Sequence, residues 1–159
     1  MIYSKTSGYA IRALSYMASF PLGHSVGIGS IAKGCRVSPT YMAKVLQVLT
    51  HAGFISSIRG AKGGYVFRKD PSKISLLDVI QTTDNSKKSP LNNCVMGLAE
   101  CSNVHPCLVH YEWKKMNVVM KKKLKKSTVL QLSSLLGAWN KNKKSGPLLS
   151  KKVRAVFSK

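Results

Sequence analysis

The chain has 159 residues, 44% of them hydrophobic, which is enough for one packed domain with or without an appendage and excludes a disordered chain. Its 26 Lys and Arg stand against 5 Asp and Glu, a formal net charge of +21. Few globular proteins carry such a charge without a polyanionic partner: nucleic acid is the first candidate, an anionic membrane surface the second. No apolar run reaches membrane-span length, so no membrane partner is expected. The polar opening lacks the apolar core of a signal peptide, which points to a cytoplasmic protein whose thiols serve as ligands rather than as disulfides. With few carboxylates, no acid–base pair and no nucleophile motif, an enzyme is not expected. The charge is uneven: residues 1–100 hold 12 basic and 4 acidic residues, and residues 101–159 hold 14 and 1. Lysine in such excess binds phosphate without reading sequence.

Residues 7–20 read as a helix, with Ala10, Leu14 and Met17 on one stripe and Ala13 and Tyr16 beside it, ended by Pro21 and Gly23. Residues 28–34 predict a short second helix, opened by Gly29 and Ser30 and closed by Gly34; Cys35, Arg36 and Val37 then make a tight turn. Ser38 at the N-cap with Pro39 after it predicts a third helix to about Ala52, with Gly53 just past its end. Tyr41, Val45, Val48, Leu49 and Ala52 form its expected apolar face. A short helix, a tight turn and a longer capped helix make a helix-turn-helix; an ordinary αα-hairpin is the alternative. Phe54–Ile58 alternates as a strand, Arg59 to Gly64 is a basic glycine-rich turn, and Tyr65–Phe67 is a returning strand. Placed after a recognition helix, this hairpin reads as the wing of a winged helix. Its glycines would let the backbone approach a phosphate and its cations would neutralise it. A nucleotide-binding loop is the rival, but the turn lacks the Lys-Ser/Thr ending and following helix of a P-loop.

Ser75 caps a helix over 75–82, and Asp78 completes a capping box. Residues 84–93 form a polar linker. From Pro106 to about Lys126 one long helix is predicted, with Val109, Trp113, Met116, Met120 and Leu124 on a stripe. Such a helix needs a partner: a symmetric homodimer seam is expected, with packing on its own domain as the plainer alternative. Thr128 and Gln131 cap a last short helix carrying Leu132, Leu135, Leu136 and Trp139. From Lys141 the chain is basic, broken by Gly and Pro, and expected to be mobile. Membrane association through the lysine-rich C-terminal half is conceivable as an accessory role.

Cys94 to His110 holds three of the four cysteines and two of the four histidines. Thiolate and imidazole bind soft and borderline metals. If a helix starts at Pro106, Cys107 and His110 share one face and bind one centre, with Cys94 and Cys101 supplied by the preceding loop. Three readings remain open on the residues alone: an iron–sulfur cluster, a structural Cys3His zinc site, or a loop of unligated cysteines. His105 and Glu100 are reserve ligands. His24 and His51 read as structural or solvated, and Cys35 as a small buried residue in the helix-turn-helix turn.

The order and spacing of several segments resemble the Rrf2 family of bacterial transcription regulators over roughly residues 1–136. The segments are Tyr9 to Leu14, Ile31-Ala32, Val37 to Met42, Val45 to Leu49, Ala52-Gly53, Arg59 to Tyr65, Ile74, and Leu77 to Ile80. The resemblance implies a mainly α fold with a small β-hairpin: a winged helix-turn-helix plus a long C-terminal dimerisation helix. The cysteine stretch looks like the cluster loop of the family's iron–sulfur members, most of all the iron–sulfur-biogenesis regulator, in which a histidine follows the third cysteine as His110 follows Cys107 here. That favours a [2Fe–2S] cluster on Cys94, Cys101, Cys107 and His110, with zinc as the alternative. Nitric-oxide-sensing members can draw a carboxylate from the start of the first helix, where this chain has Gly8. Two departures stand: a Cys94–Cys101 gap about one residue longer, and Ala43 where many members have Glu. The family also includes cluster-free members.

The expected protein is a homodimeric regulator of double-stranded DNA at a near-palindromic operator, with affinity set by a cluster sensing redox, iron–sulfur status or nitric oxide. A winged-helix regulator with structural zinc, or a cluster-free thiol sensor, is the alternative. Ser38, Thr40, Tyr41 and Lys44 are the expected DNA-facing residues of the recognition helix, and Arg59, Gly60, Lys62 and Gly63 those of the wing. Tyr41 also lies on the apolar face, so core is its second reading. The expected divisions are 1–83 for the DNA-binding domain, 84–105 for linker and cluster loop, 106–140 for the dimerisation and terminal helices, and 141–159 for the tail.

Overall fold

A computed structural model describes residues 3–60, 63–84, 91, 93–97 and 103–141. The elements run α1 (Lys5–Met17), α2 (Ile28–Cys35), α3 (Pro39–His51), β1 (Ile55–Ile58), β2 (Gly64–Phe67), α4 (Leu76–Thr83), α5 (His110–Lys126) and α6 (Val129–Lys141). The fold is mainly helical with one small antiparallel hairpin, as expected.

Helix α1 is the centre. Ala10, Ala13 and Leu14 are fully buried, and α2, α3, α4 and α6 all pack on it. The two alanines on that face let neighbouring helices approach closely. Ser4 caps α1, accepting from Ser7 N at 3.1 Å. The Asp84 carboxylate reaches the same end from α4: it accepts from Ser4 N at 3.2 Å and from the hydroxyls of Ser4 and Ser7. Ser7 Oγ also meets Thr83 Oγ1 at 2.6 Å. A negative charge there suits the positive end of the helix.

The predicted caps are in place. Ser38 accepts from Tyr41 N at 3.3 Å, and Ser75 from Asp78 N at 3.1 Å. Thr128 N donates to Gln131 Oε1 at 3.0 Å while Gln131 N donates back to Thr128 Oγ1 at 3.3 Å. Gly53 takes φ 73° after α3, the left-handed turn that favours glycine.

Several boundaries and faces differ from expectation. Helix α2 runs through Gly34 and ends on Arg36, which takes the left-handed φ of 55° itself. Gly34 serves packing instead: a Cβ there would lie 2.5 Å from the Tyr16 ring. On α3, Met42 and Leu46 are buried with Val45 and Leu49, while Val48 faces outward. The face is rotated because α3 is covered by α1 and α2 on one side and by β1 and α4 on the other. The long helix begins at His110, not Pro106. Leu108 is fully exposed, and residues 106–109 lead in through a turn that His110 N closes on Cys107 O at 3.1 Å, so the helix itself starts at the buried His110.

The predicted α5 stripe divides. Trp113 and Leu124 turn inward, Leu124 against the core, while Met116 and Met120 stay exposed. Helix α5 packs on α4, where Lys125 Nζ pairs with Asp78 Oδ1 at 2.6 Å. Burial by itself would raise the Asp78 carboxyl, but the Lys125 and Ser75 hydrogen bonds outweigh it and hold it below its ordinary value. Among the described residues no helix is long and apolar enough to cross a membrane.

Candidate functional site

Ser38 and Pro39 start α3 with their side chains exposed, so the positive end of that helix faces solvent. Thr40 and Lys44 are exposed and spaced one turn apart. Tyr41 is half-buried: its ring stands edge-on to Tyr9 at 5.4 Å, and its hydroxyl meets Thr6 Oγ1 at 3.1 Å. That favours packing as the larger part of its role. Gln47 continues the exposed stripe of Thr40 and Lys44, and Arg36 stands exposed before it. Neither was singled out from sequence, although the spacing 40, 44, 47 carried the signal for Gln47.

Arg59 and Gly60 are exposed at the hairpin tip; Lys62 lies outside the described residues. Strand pairing runs Ile55↔Phe67, Ser56↔Val66, Ser57↔Tyr65 and Ile58↔Gly64. Val26 adds a third edge, exchanging two 3.0 Å bonds with Tyr65. The glycines answer to this crowding. A Cβ on Gly63 would lie 2.5 Å from Ile58 O, and one on Gly64 2.7 Å from Val26 O. The protein's own backbone therefore requires glycine at both positions, whatever else approaches them.

At the cysteine loop, Cys94 and His110 are buried and Cys107 is half-buried; Cys101 and Glu100 lie outside the described residues. His105 is exposed. Cys107 and His110 are brought together by a turn rather than a helix face: His110 N donates to Cys107 O at 3.1 Å. The His110 ring stands edge-on to Tyr111. Its Nε2 lies 2.9 Å from Asn103 Oδ1, which also accepts from Lys114 Nζ at 2.8 Å. An ammonium only donates, so that atom is an oxygen acceptor and Nε2 carries the proton. In the neutral imidazole Nδ1 is then the lone-pair nitrogen, the form a metal ligand takes. The donor chemistry thus fits a metal centre, although the described residues alone do not assemble three ligands.

Cys35 is buried in the turn before α3, and burial pushes its thiol up to about 11, only partly offset by the Arg12 charge. It is a packing residue, not a reactive thiolate.

A family profile described as an iron-dependent transcriptional regulator matches residues 3–134. The chain belongs to the Rrf2 family. An Aquifex aeolicus protein named as an HTH-type transcriptional regulator is 30% identical over 137 residues, covering 85% of this chain and 93% of its own length. CymR, the global cysteine regulator of B. subtilis, superposes with a TM-score of 0.70 at 24% identity, covering 84% of this chain and 97% of its own. IscR from T. potens superposes at 0.64 with 20% identity, covering 94% of each chain. These two likenesses establish the winged-helix fold of Rrf2 proteins. The chain is a DNA-binding transcriptional regulator of the Rrf2 family, and its relatives are regulators, not enzymes.

Proposed function

We propose that this regulator binds a near-palindromic operator as a cytoplasmic homodimer, through α3 and the wing, and that a metal centre on Cys94, Cys101, Cys107 and His110, a [2Fe–2S] cluster by preference, sets its affinity. The observation that carries the sensing part is the buried His110, fixed by Asn103 with Nδ1 as its lone-pair nitrogen, one turn from Cys107 and directly at the start of α5. A bound cluster would supply an oxidisable and labile centre at that point. Ser38, Thr40 and Lys44, with Tyr41 behind them, would face the major groove, and Arg59 to Gly63 the flanking phosphates. The exposed Met116 and Met120 of α5 would meet the second copy.

With the loop tied to His110, the start of α5 is held against α4 and the two reading heads keep a fixed spacing. Release of the loop lets α5 shift. A coupling of about 1–3 kcal/mol between the two states is ordinary for such a link. The likeness to both a cysteine regulator and IscR leaves the zinc and thiol alternatives to experiment. Anaerobically purified protein, assayed for visible absorption, iron, zinc and acid-labile sulfide, is expected to hold iron and sulfide in equal amounts. A colourless protein with zinc would overturn the cluster reading. Equal operator affinity for that protein and a Cys94/Cys101/Cys107→Ala variant would overturn the regulatory one.

A further inference from the structure

Helix α5 carries seven lysines and one acid, Glu112. Lys125 pairs with Asp78, and Lys114 donates to Asn103. Lys115, Lys122 and Lys126 are exposed, and among the described residues none of the three has an acid partner. At 3.6 residues per turn, Lys115, Lys122 and Lys126 fall within about 40° of one another, whereas Lys123 lies beside Met116 on the side proposed for the second copy. The first three point roughly opposite to His110, Asn117 and Leu124, the side that α5 turns toward its own domain. The three span about 16 Å of helix. A duplex presents roughly ten phosphate charges over that length.

We infer that this lysine face is a second nucleic-acid surface, separate from the helix-turn-helix and wing, that holds duplex backbone without reading sequence. The chain has only five acids for 26 cations, so its own charges cannot neutralise the face. A lipid surface fits less well. An interfacial helix sets an apolar face opposite its lysines, whereas here that face is taken up by packing on the domain. Helix α5 packs on α4 rather than on α3 or the hairpin, so these lysines extend the DNA-binding surface beyond the operator-reading elements. The consequence is high non-specific affinity and a steep salt dependence, features that keep a regulator on DNA between operators.

The test uses full-length protein and a labelled duplex of random sequence, with affinity measured by anisotropy across a potassium chloride series. Replacing Lys115, Lys122 and Lys126 together by Gln is expected to make the slope of log affinity against log salt shallower by about 2.5–3, at roughly 0.9 for each phosphate no longer neutralised. The Lys122→Gln/Lys126→Gln pair should give about two-thirds of that change, and the threefold Arg variant none. An unchanged slope in both Gln variants overturns the inference. So does a Gln variant that dimerises more tightly by sedimentation with the slope intact, which would place the lysines at the seam. Lower binding to phosphatidylserine vesicles with no change on DNA would assign the face to membranes and also overturn it. Lys44→Gln, read as altered enrichment from a randomised duplex pool, tests the α3 interface independently. The two readings can therefore fail separately.

Discussion

Asp84 is the residue whose removal should cost most for its size. Its carboxylate accepts from Ser4 N–H and from the Ser4 and Ser7 hydroxyls, in a site where Ser7 is fully buried. Asp84→Ala deprives three donors of a charged acceptor. Hydrogen bonds to charged groups are worth about 1.5–3 kcal/mol each. The donors partly re-pair, since Ser4 Oγ and Ser7 Oγ are already 3.2 Å apart and Ser7 meets Thr83 at 2.6 Å. The net expected loss is about 3 kcal/mol, roughly 10 °C in Tm for a domain of this size. Asp84→Asn keeps one carbonyl acceptor and should lose about half as much. Urea and thermal unfolding measure both. Combining Asp84→Ala with Ser7→Ala should be less than additive by about 1 kcal/mol or more. An Asp84→Ala protein within about 0.5 kcal/mol of the parent would refute the view that this clamp, joining the start of the central helix to the end of α4, stabilises the fold.

Cys35 predicts a pH effect. Its folded-state value of about 11 lies above the ordinary 9.0, so the neutral thiol is favoured by folding and its stabilisation fades as pH rises past 9. Between pH 7 and pH 10 the parent should lose about 1.4 kcal/mol relative to Cys35→Ala, as read from paired denaturation curves. Gly64→Ala places a Cβ against the Val26 carbonyl, which is backbone and cannot swing aside. It should cost about 2 kcal/mol and reduce DNA affinity through the displaced wing, while a parent-like melting curve would show that the strand yields. Asp78→Asn removes the α4–α5 ion pair. A loss of about 1 kcal/mol or less is expected at pH 7 because Lys125 is largely exposed. The folded carboxyl sits below its ordinary value, so the difference should vanish as pH falls below the carboxylate range.

Local chemistry made the element order legible in the amino-acid sequence. Ser38-Pro39, Ser75 with Asp78, and Thr128 with Gln131 are caps whose partners lie three residues away, so the information is short-range. The charge imbalance pointed to a polyanion, and the spaced segments to the Rrf2 family, before any coordinate. Tertiary structure decided which faces are buried: Val48 outward and Met42 and Leu46 inward, because neighbours on two sides of α3 choose the stripe. It also moved the start of α5 from Pro106 to His110, the buried residue whose N–H closes the preceding turn on Cys107 O. Long-range pairing likewise assigned Gly34 to Tyr16, Gly64 to Val26, and Asp84 to Ser4 and Ser7 across some eighty residues of chain. No local pattern encodes such pairings, because each depends on where a distant element comes to rest.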